Sequence, residues 1–306
     1  MSLHLAQWRP GFAVIALLAT LSASVRPTPA KTVKPHPVKA KPNQANPPGK
    51  QREAFSATAI YNSTKFYEDE AMLGSAQVGE GAPWNYGYYR YFDSDHPVAA
   101  NQTSLDPMGY RLFDKYNSPD PITGFGGLYL SSQYPTDEPT APSLQYNSNS
   151  ARLSIDSQRT MQPHSLAIGP SPNGLPAVVR FYPQPYMNSD PVTNFANFAI
   201  VATFASTMNA ATKPYYAHLW IVRGPTKGGA HVTPFPSQPY DKNVRLLYDT
   251  QLAPQSPHVF ATTLTLQQGQ VVDFVIGPEK REDGTYDFVG AHTTFNITIT
   301  RSYPAF

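Results

Sequence analysis

Closely spaced aromatic rings and a few loop carboxylates are the side chains whose types and order suggest chemistry in this chain. Flat rings stack on the C–H faces of pyranose sugars at small entropic cost, and short polar side chains take the hydroxyls. Trp84, Tyr86 and Tyr88, at every second position, are therefore candidate ligand-binding residues, with Tyr129 and Tyr134 from the loops that follow. The competing reading is structural, because alternation must turn part of such a run into the core and Trp84 can plug one end of it. Asp283 and Asp287 flank a turn and offer the hard oxygens that a structural calcium ion takes; a turn-stabilising role is the alternative. Glu68, Asp69 and Glu70 supply carboxyls of the kind used in pairs for glycoside hydrolysis, or else a solvated acidic turn. No H-E-x-x-H, G-x-S-x-G or phosphate-cradling glycine loop is present, so no residue is assigned as catalytic. Cysteine is absent, which excludes disulfides, thiolate metal sites and a thiol nucleophile.

The elements that must position these residues read as strands. Val259–Leu266, Val271–Ile276 and Thr293–Ile299 alternate apolar and polar side chains. Phe260, Leu264 and Leu266 share one face of the first; Val272, Phe274 and Ile276 share one face of the second; Phe295, Ile297 and Ile299 share one face of the third. Similar runs are predicted over Phe55–Tyr61, Tyr86–Phe92, Gly127–Ser131, Ala151–Ile155, Ala177–Tyr182, Phe198–Ser206, Ala217–Val222 and Val244–Tyr248. Long loops are expected between residues 93 and 160, which are rich in Pro, Asp, Asn, Ser and Gly. No helical periodicity stands out beyond the N-terminal run. The pattern predicts an all-β fold: a two-sheet antiparallel β-sandwich of jelly-roll type with long loops, occupying residues 55–306 as one domain. Arg180, set between Val179 and Phe181, needs a carboxylate partner.

Arg9 precedes an apolar run from Gly11 to Leu21 and small residues at Ser22, Ala23 and Ser24, the layout of a secretory signal over residues 1–24. The run is about half the roughly twenty residues a membrane span needs, so no spanning segment is expected once the signal is removed. Residues 25–54 read as a Pro- and Lys-rich linker; within 31–52 there are five prolines, six Lys or Arg and no acid. The first 52 residues hold eight of the 23 Lys and Arg and none of the 21 acids. The remainder is formally about −6, which does not suit a nucleic-acid partner.

Four segments in order resemble a family of secreted bacterial β-sandwich modules similar to carbohydrate-binding modules. They are the box Trp84-Asn85-Tyr86-Gly87-Tyr88; Pro163-His164 with Pro172-Asn173-Gly174 and the strand from Ala177 to Pro183; Leu266 to Pro278; and Asp283-Gly284-Thr285-Tyr286-Asp287. Phe181 stands where the family usually has Trp, Gln270 where it has Asp, and His164-Ser165 where it has His-Pro. The resemblance implies a sandwich with a glycan-binding or surface role. The expectation is thus an exported, non-catalytic binding module in the periplasm, on the cell surface or outside the cell, with a polysaccharide or envelope glycan as its ligand. The alternatives are a structural or adhesive protein that contacts another surface protein, and a glycan-acting hydrolase.

Overall fold

The computed structural model describes residues 58–72, 82–100, 102–113, 115–117, 120, 122–129, 142–183, 195–209, 217–225, 244–267 and 269–302. The expected signal and linker lie outside them. In chain order the first elements are β1 (Thr58–Asn62), α1 (Ser63–Met72), β2 (Trp84–Tyr89), β3 (Tyr110–Leu112), β4 (Lys115–Asn117), β5 (Phe125–Tyr129), β6 (Ser143–Asn147), β7 (Leu153–Ser154), β8 (Thr160–Met161) and β9 (Ser165–Gly169). Then come β10 (Ala177–Phe181), β11 (Phe195–Ser206), β12 (Ala217–Pro225), β13 (Arg245–Leu252), β14 (His258–Gln267), β15 (Gln270–Lys280), β16 (Tyr286–Asp287) and β17 (Thr293–Ser302).

Eight of these strands make the jelly roll that the alternation predicted. One sheet contains the order β14-β11-β17-β9 and the other β13-β12-β15-β10, all antiparallel. Among these eight, taken in chain order from β9 to β17, every step crosses between the sheets except β12 to β13, which is double Greek-key winding; the short β16 between β15 and β17 pairs back on β15. The N-terminal strands widen both layers: β6, β5 and β4 extend the first sheet beyond β9, and β2 and β3 extend the second beyond β10. Phe198, Ile200, Phe204, Ile297 and Ile299 of the first sheet meet Trp84, Phe181, Leu219 and Phe274 of the second in one continuous core.

Sequence reading missed α1, taking its acidic residues for a turn. Its signal is the N-cap: Asn62 Oδ1 accepts from the Lys65 N–H at 2.8 Å. The helix begins where a ladder breaks. β9 pairs with residues 293–295 of β17 and β1 with residues 298–302 of the same strand edge. In the gap between them, the Ile297 N–H donates to the Ser63 hydroxyl at 3.1 Å. Tyr67, fully buried, then anchors α1 against Tyr86 and Tyr146.

The expected long loop between residues 93 and 160 is in part a third layer. Leu105, Met108, Phe92, Val98 and Tyr110 pack on the outer side of the second sheet, over Val178, Trp220, Val222, Val271 and Val275. Backbone bonds tie this cover down, among them Tyr91 N–H to Met108 O at 3.0 Å, Leu105 N–H to Pro225 O at 3.0 Å and Val244 N–H to Gln102 O at 2.9 Å. Gly87 permits the approach of β3, since a Cβ there would stand 2.0 Å from the Arg111 carbonyl oxygen. The inner strands of the second sheet are consequently buried on both faces, which is why β10 is buried at all five positions, while the edge strand β13 stays largely exposed.

Arg180 and Asp273 sit opposite each other beneath this cover. The guanidinium donates from Nε to Asp273 Oδ1 and from one terminal nitrogen to Oδ2, both at 2.8 Å, and its carbon lies 3.7 Å from the Tyr110 ring centre. The Tyr89 hydroxyl donates to the same carboxylate. Burial works against charge on Arg180, but the Asp273 carboxylate overrides it and holds the guanidinium above its ordinary range. Burial, reinforced by the Asp273 charge, pushes Tyr89 well above the usual phenol range, so it keeps its proton.

Two outcomes follow from this packing. Arg180→Ala strands the Asp273 carboxylate without its cation and is expected to cost about 3–5 kcal/mol in urea unfolding, whereas the double change Arg180→Met, Asp273→Leu recovers most of that loss. His292 is buried and its pKa is pulled down to about 3 by burial, with Arg159 adding to the shift. The unfolded chain therefore binds a proton that the folded chain refuses once the pH drops below about 6.5. Stability is complete above that pH and is lost progressively toward pH 3, with His292 adding up to about 1.4 kcal/mol per pH unit to the slope. Urea titrations between pH 7 and 4 should show a shallower slope for His292→Gln.

Candidate functional site

The aromatic box belongs to the interior. Trp84, Tyr86 and Tyr88 alternate on the inner side of β2, paired with Phe181, Val179 and Ala177 of β10. Trp84 is fully buried with its ring centre 5.1 Å from that of Phe181. Tyr86 is buried and donates from its hydroxyl to the Ser63 carbonyl at 2.8 Å. Tyr88 is half-buried and stacks on Phe113 with ring centres 6.4 Å apart. Only Tyr88 of the three keeps part of its surface in reach of a ligand. The backbone of Tyr129 lies in β5, while its side chain and all of Tyr134 fall outside the described residues.

The carboxylates whose side chains are described each have a partner within the protein. Asp283 is exposed, and its Oδ1 accepts from the Thr285 N–H at 2.9 Å and the Thr285 hydroxyl at 2.6 Å, which hold its pKa below the usual carboxylate value. This is a side-chain-capped turn between β15 and β16. Asp287 is buried, faces Arg281 at 3.4 Å and accepts from the Gly290 N–H at 3.3 Å. Among the described residues no group of three or more His, Cys, Asp or Glu side chains is placed to hold a metal ion. Glu68 accepts from the Tyr146 hydroxyl at 2.9 Å, and Asp69 pairs with Lys65 at 3.0 Å along α1, so these two acids are drawn to different neighbours. The side chain of Glu70 lies outside the described residues.

What the tertiary structure assembles instead is a surface. With β10 and β15 of the second sheet covered, the outer face of the first sheet is a broad side left open among the described residues. Part of that side is also closed: Ala167 of β9 points outward yet is fully buried beside the β7–β8 hairpin, which is tied to the end of β11 by the Thr160 N–H to Thr207 O bond at 2.8 Å. The open part spans β14, β11, β17 and β1. Its cross-strand rows read Thr263–Ala199–Thr300–Ile60, Ala261–Val201–Thr298–Asn62 and Val259–Thr203–Asn296, with Thr265 beside Asn197 at one end.

No Lys, Arg, Asp, Glu or His occupies any of these positions. Ile60 is 68 %, Val259 60 % and Val201 51 % exposed, so the apolar members stand in solvent rather than in a core. The amide and hydroxyl members are pre-arranged by bonds among themselves: Asn62 Nδ2 donates to Asn296 Oδ1 at 2.8 Å and to Thr298 Oγ1 at 2.9 Å, and Thr265 Oγ1 donates to Asn197 Oδ1 at 2.7 Å. Hydroxyls and methyl groups therefore recur on a grid of about 4.8 Å across strands and about 6.7 Å along them. Sequence reading named the buried residues of these strands and did not ask what the intervening positions carry. The signal was present in Thr263, Thr265, Thr298 and Thr300, the polar complements of Leu264, Leu266, Ile297 and Ile299.

Compared with known proteins, the chain matches no family model and no curated protein. The placement of Trp84 makes a direct expectation. Trp84→Ala removes a fully buried indole and should cost about 3–5 kcal/mol of stability in chemical denaturation, while Trp84→Phe keeps most of it.

Proposed function

We propose that this chain is an exported, non-catalytic binding module whose ligand is an uncharged polysaccharide of the cell envelope or its surroundings, held on the outer face of β14, β11, β17 and β1. The observation that carries the proposal is the lack of charged side chains at the described outward positions of those strands, most of which are exposed. A neutral sugar chain offers hydroxyls, which Thr and Asn side chains bond, and C–H surface, which Thr methyls, Ala, Val and Ile contact. A polyanion would find no cation there to release its counterions, and an acidic or basic protein surface would lose its solvation without compensation. The repeat of the grid along the strands suits an extended ligand of repeating units better than a single small molecule. The basic, Pro-rich linker expected over residues 25–54 supplies reach between such a module and its point of attachment.

Co-sedimentation of the full chain with insoluble neutral polysaccharides such as cellulose and chitin, alongside an anionic polymer, tests this. Binding to at least one neutral polymer should persist in 1 M NaCl, because contacts without ion pairs are not screened. Val201→Glu forces a carboxylate to lose water against the ligand and should weaken binding about tenfold or more. Trp84→Phe should leave affinity unchanged. The reading fails if no neutral polysaccharide is retained, or if Val201→Glu binds as well as the parent chain.

A further inference from the structure

One amide on the open face has its orientation imposed from outside that face. Asn62 ends β1 and caps α1, and its Oδ1 accepts from the Lys65 backbone N–H at 2.8 Å. A backbone N–H can only donate, so the Asn62 side chain has a single arrangement, with its oxygen toward the helix and its nitrogen toward β17. That nitrogen divides its two hydrogens between Asn296 Oδ1 at 2.8 Å and Thr298 Oγ1 at 2.9 Å. Asn296 is turned in consequence. Its oxygen faces Asn62, and its nitrogen is left on the side away from Asn62, where β11 pairs with β17.

Asn296 is exposed, and its Nδ2 has no partner among the described residues. An amide nitrogen donates and does not accept, so this free group has one polarity. Thr298, whose oxygen already accepts from Asn62, keeps its own proton for a second acceptor. Val201 stands directly across from Thr298, and the row Val259–Thr203 runs up to Asn296. Two free donors therefore border two exposed valines. The donors are oriented before any ligand arrives, which lowers the ordering cost of binding.

We infer that Asn296, Thr298, Val201 and Val259 form a subsite for an acetamido group, so that the polysaccharide taken by this face is a polymer of N-acetylated amino sugars and not a plain glucan. The inference rests on the proposed neutral-polysaccharide reading and narrows it to one class. A carbonyl oxygen accepts through two lone pairs and has no proton of its own to place. A sugar hydroxyl that accepts from Asn296 must also find an acceptor for its own proton, and of the outward neighbours on that side, Val201, Thr203 and Val259, only Thr203 carries an oxygen. The acetyl methyl, bonded to the same carbonyl carbon, covers valine surface that is otherwise wet. The group is uncharged, in keeping with a face that has no counter-charge to offer. Asn296 is the residue that reads the carbonyl, and Asn62 is a positioning residue that acts through it.

Retention of the full chain on chitin and on cellulose particles, over a range of polymer loadings, reads the preference directly. Chitin should bind about tenfold more tightly, as expected when one hydrogen bond is met in one polymer and unmet in the other. Soluble N-acetylglucosamine oligomers should compete for the chain, and cello-oligomers should not. Asn296→Ala removes the donor and should bring chitin affinity down to the cellulose level while cellulose affinity stays as it was. Asn62→Asp tests the orientation, because a carboxylate still caps α1 but has no hydrogen to give, so Asn296 turns its nitrogen toward it and presents oxygen instead. That variant should keep its far-ultraviolet spectrum and urea midpoint and lose the preference for chitin, a ratio that a purely structural role would not move. Should Asn296→Ala fold poorly, Asn62→Asp carries the test by itself. Equal affinity for the two polymers, or a preference for chitin that survives either variant, overturns the inference and leaves the proposed function standing. Retention on neither polymer overturns both.

Discussion

A guanidinium and a carboxylate removed from water stay ionised only while they hold each other, and in this protein the second sheet is organised around that necessity. Arg180 and Asp273 stand on adjacent central strands, with the Tyr89 hydroxyl bonded to the carboxylate and the Tyr110 ring against the guanidinium. Tyr89 ends β2 and Tyr110 begins β3, so the pair is enclosed by residues at both ends of the covering segment. The pair needs the cover to exclude water, and the cover needs the pair, because its rings would otherwise lie on an unmatched charge.

This arrangement gives the sandwich two unlike sides. The central strands of the second sheet, β10 and β15, are buried on both faces and form the interior of the domain. The first sheet keeps its outer face in solvent, with β1 and α1 set against β17 through the Ser63 hydroxyl and the Asn62 cap. Asn62 belongs to both features: its carbonyl oxygen caps the helix and its amide bonds Asn296 and Thr298 on the open face. The start of the domain is thereby coupled to the surface proposed to bind ligand.

The open face and the inner rim of the first sheet meet along β14. Alternate residues of that one strand line the outer grid while their neighbours reach inward to the rim, so the composition of a single segment serves two surfaces.

Local pattern was enough to establish the strands from Ala177 onward, their inward residues and the need of Arg180 for an acid, because alternation and the cost of an unpaired charge act within a few residues. The short strands β3, β4, β6 and β9 escaped notice, since three to five residues carry too little periodicity, and α1 escaped because its stability comes from Tyr67 and a cap and not from an apolar stripe. The roles of the rings were out of reach for a different reason. Trp84 and Tyr86 have the composition of a sugar platform, and the first sheet and α1 laid across them turn them into core; Thr263 and Thr300 have the composition of ordinary strand exteriors, and among the described residues no layer covers them. Burial is a property of what lies opposite, and what lies opposite comes from other elements of the chain: Ser63 and Tyr67 of α1 for Tyr86, and Phe198 beyond Phe181 for Trp84.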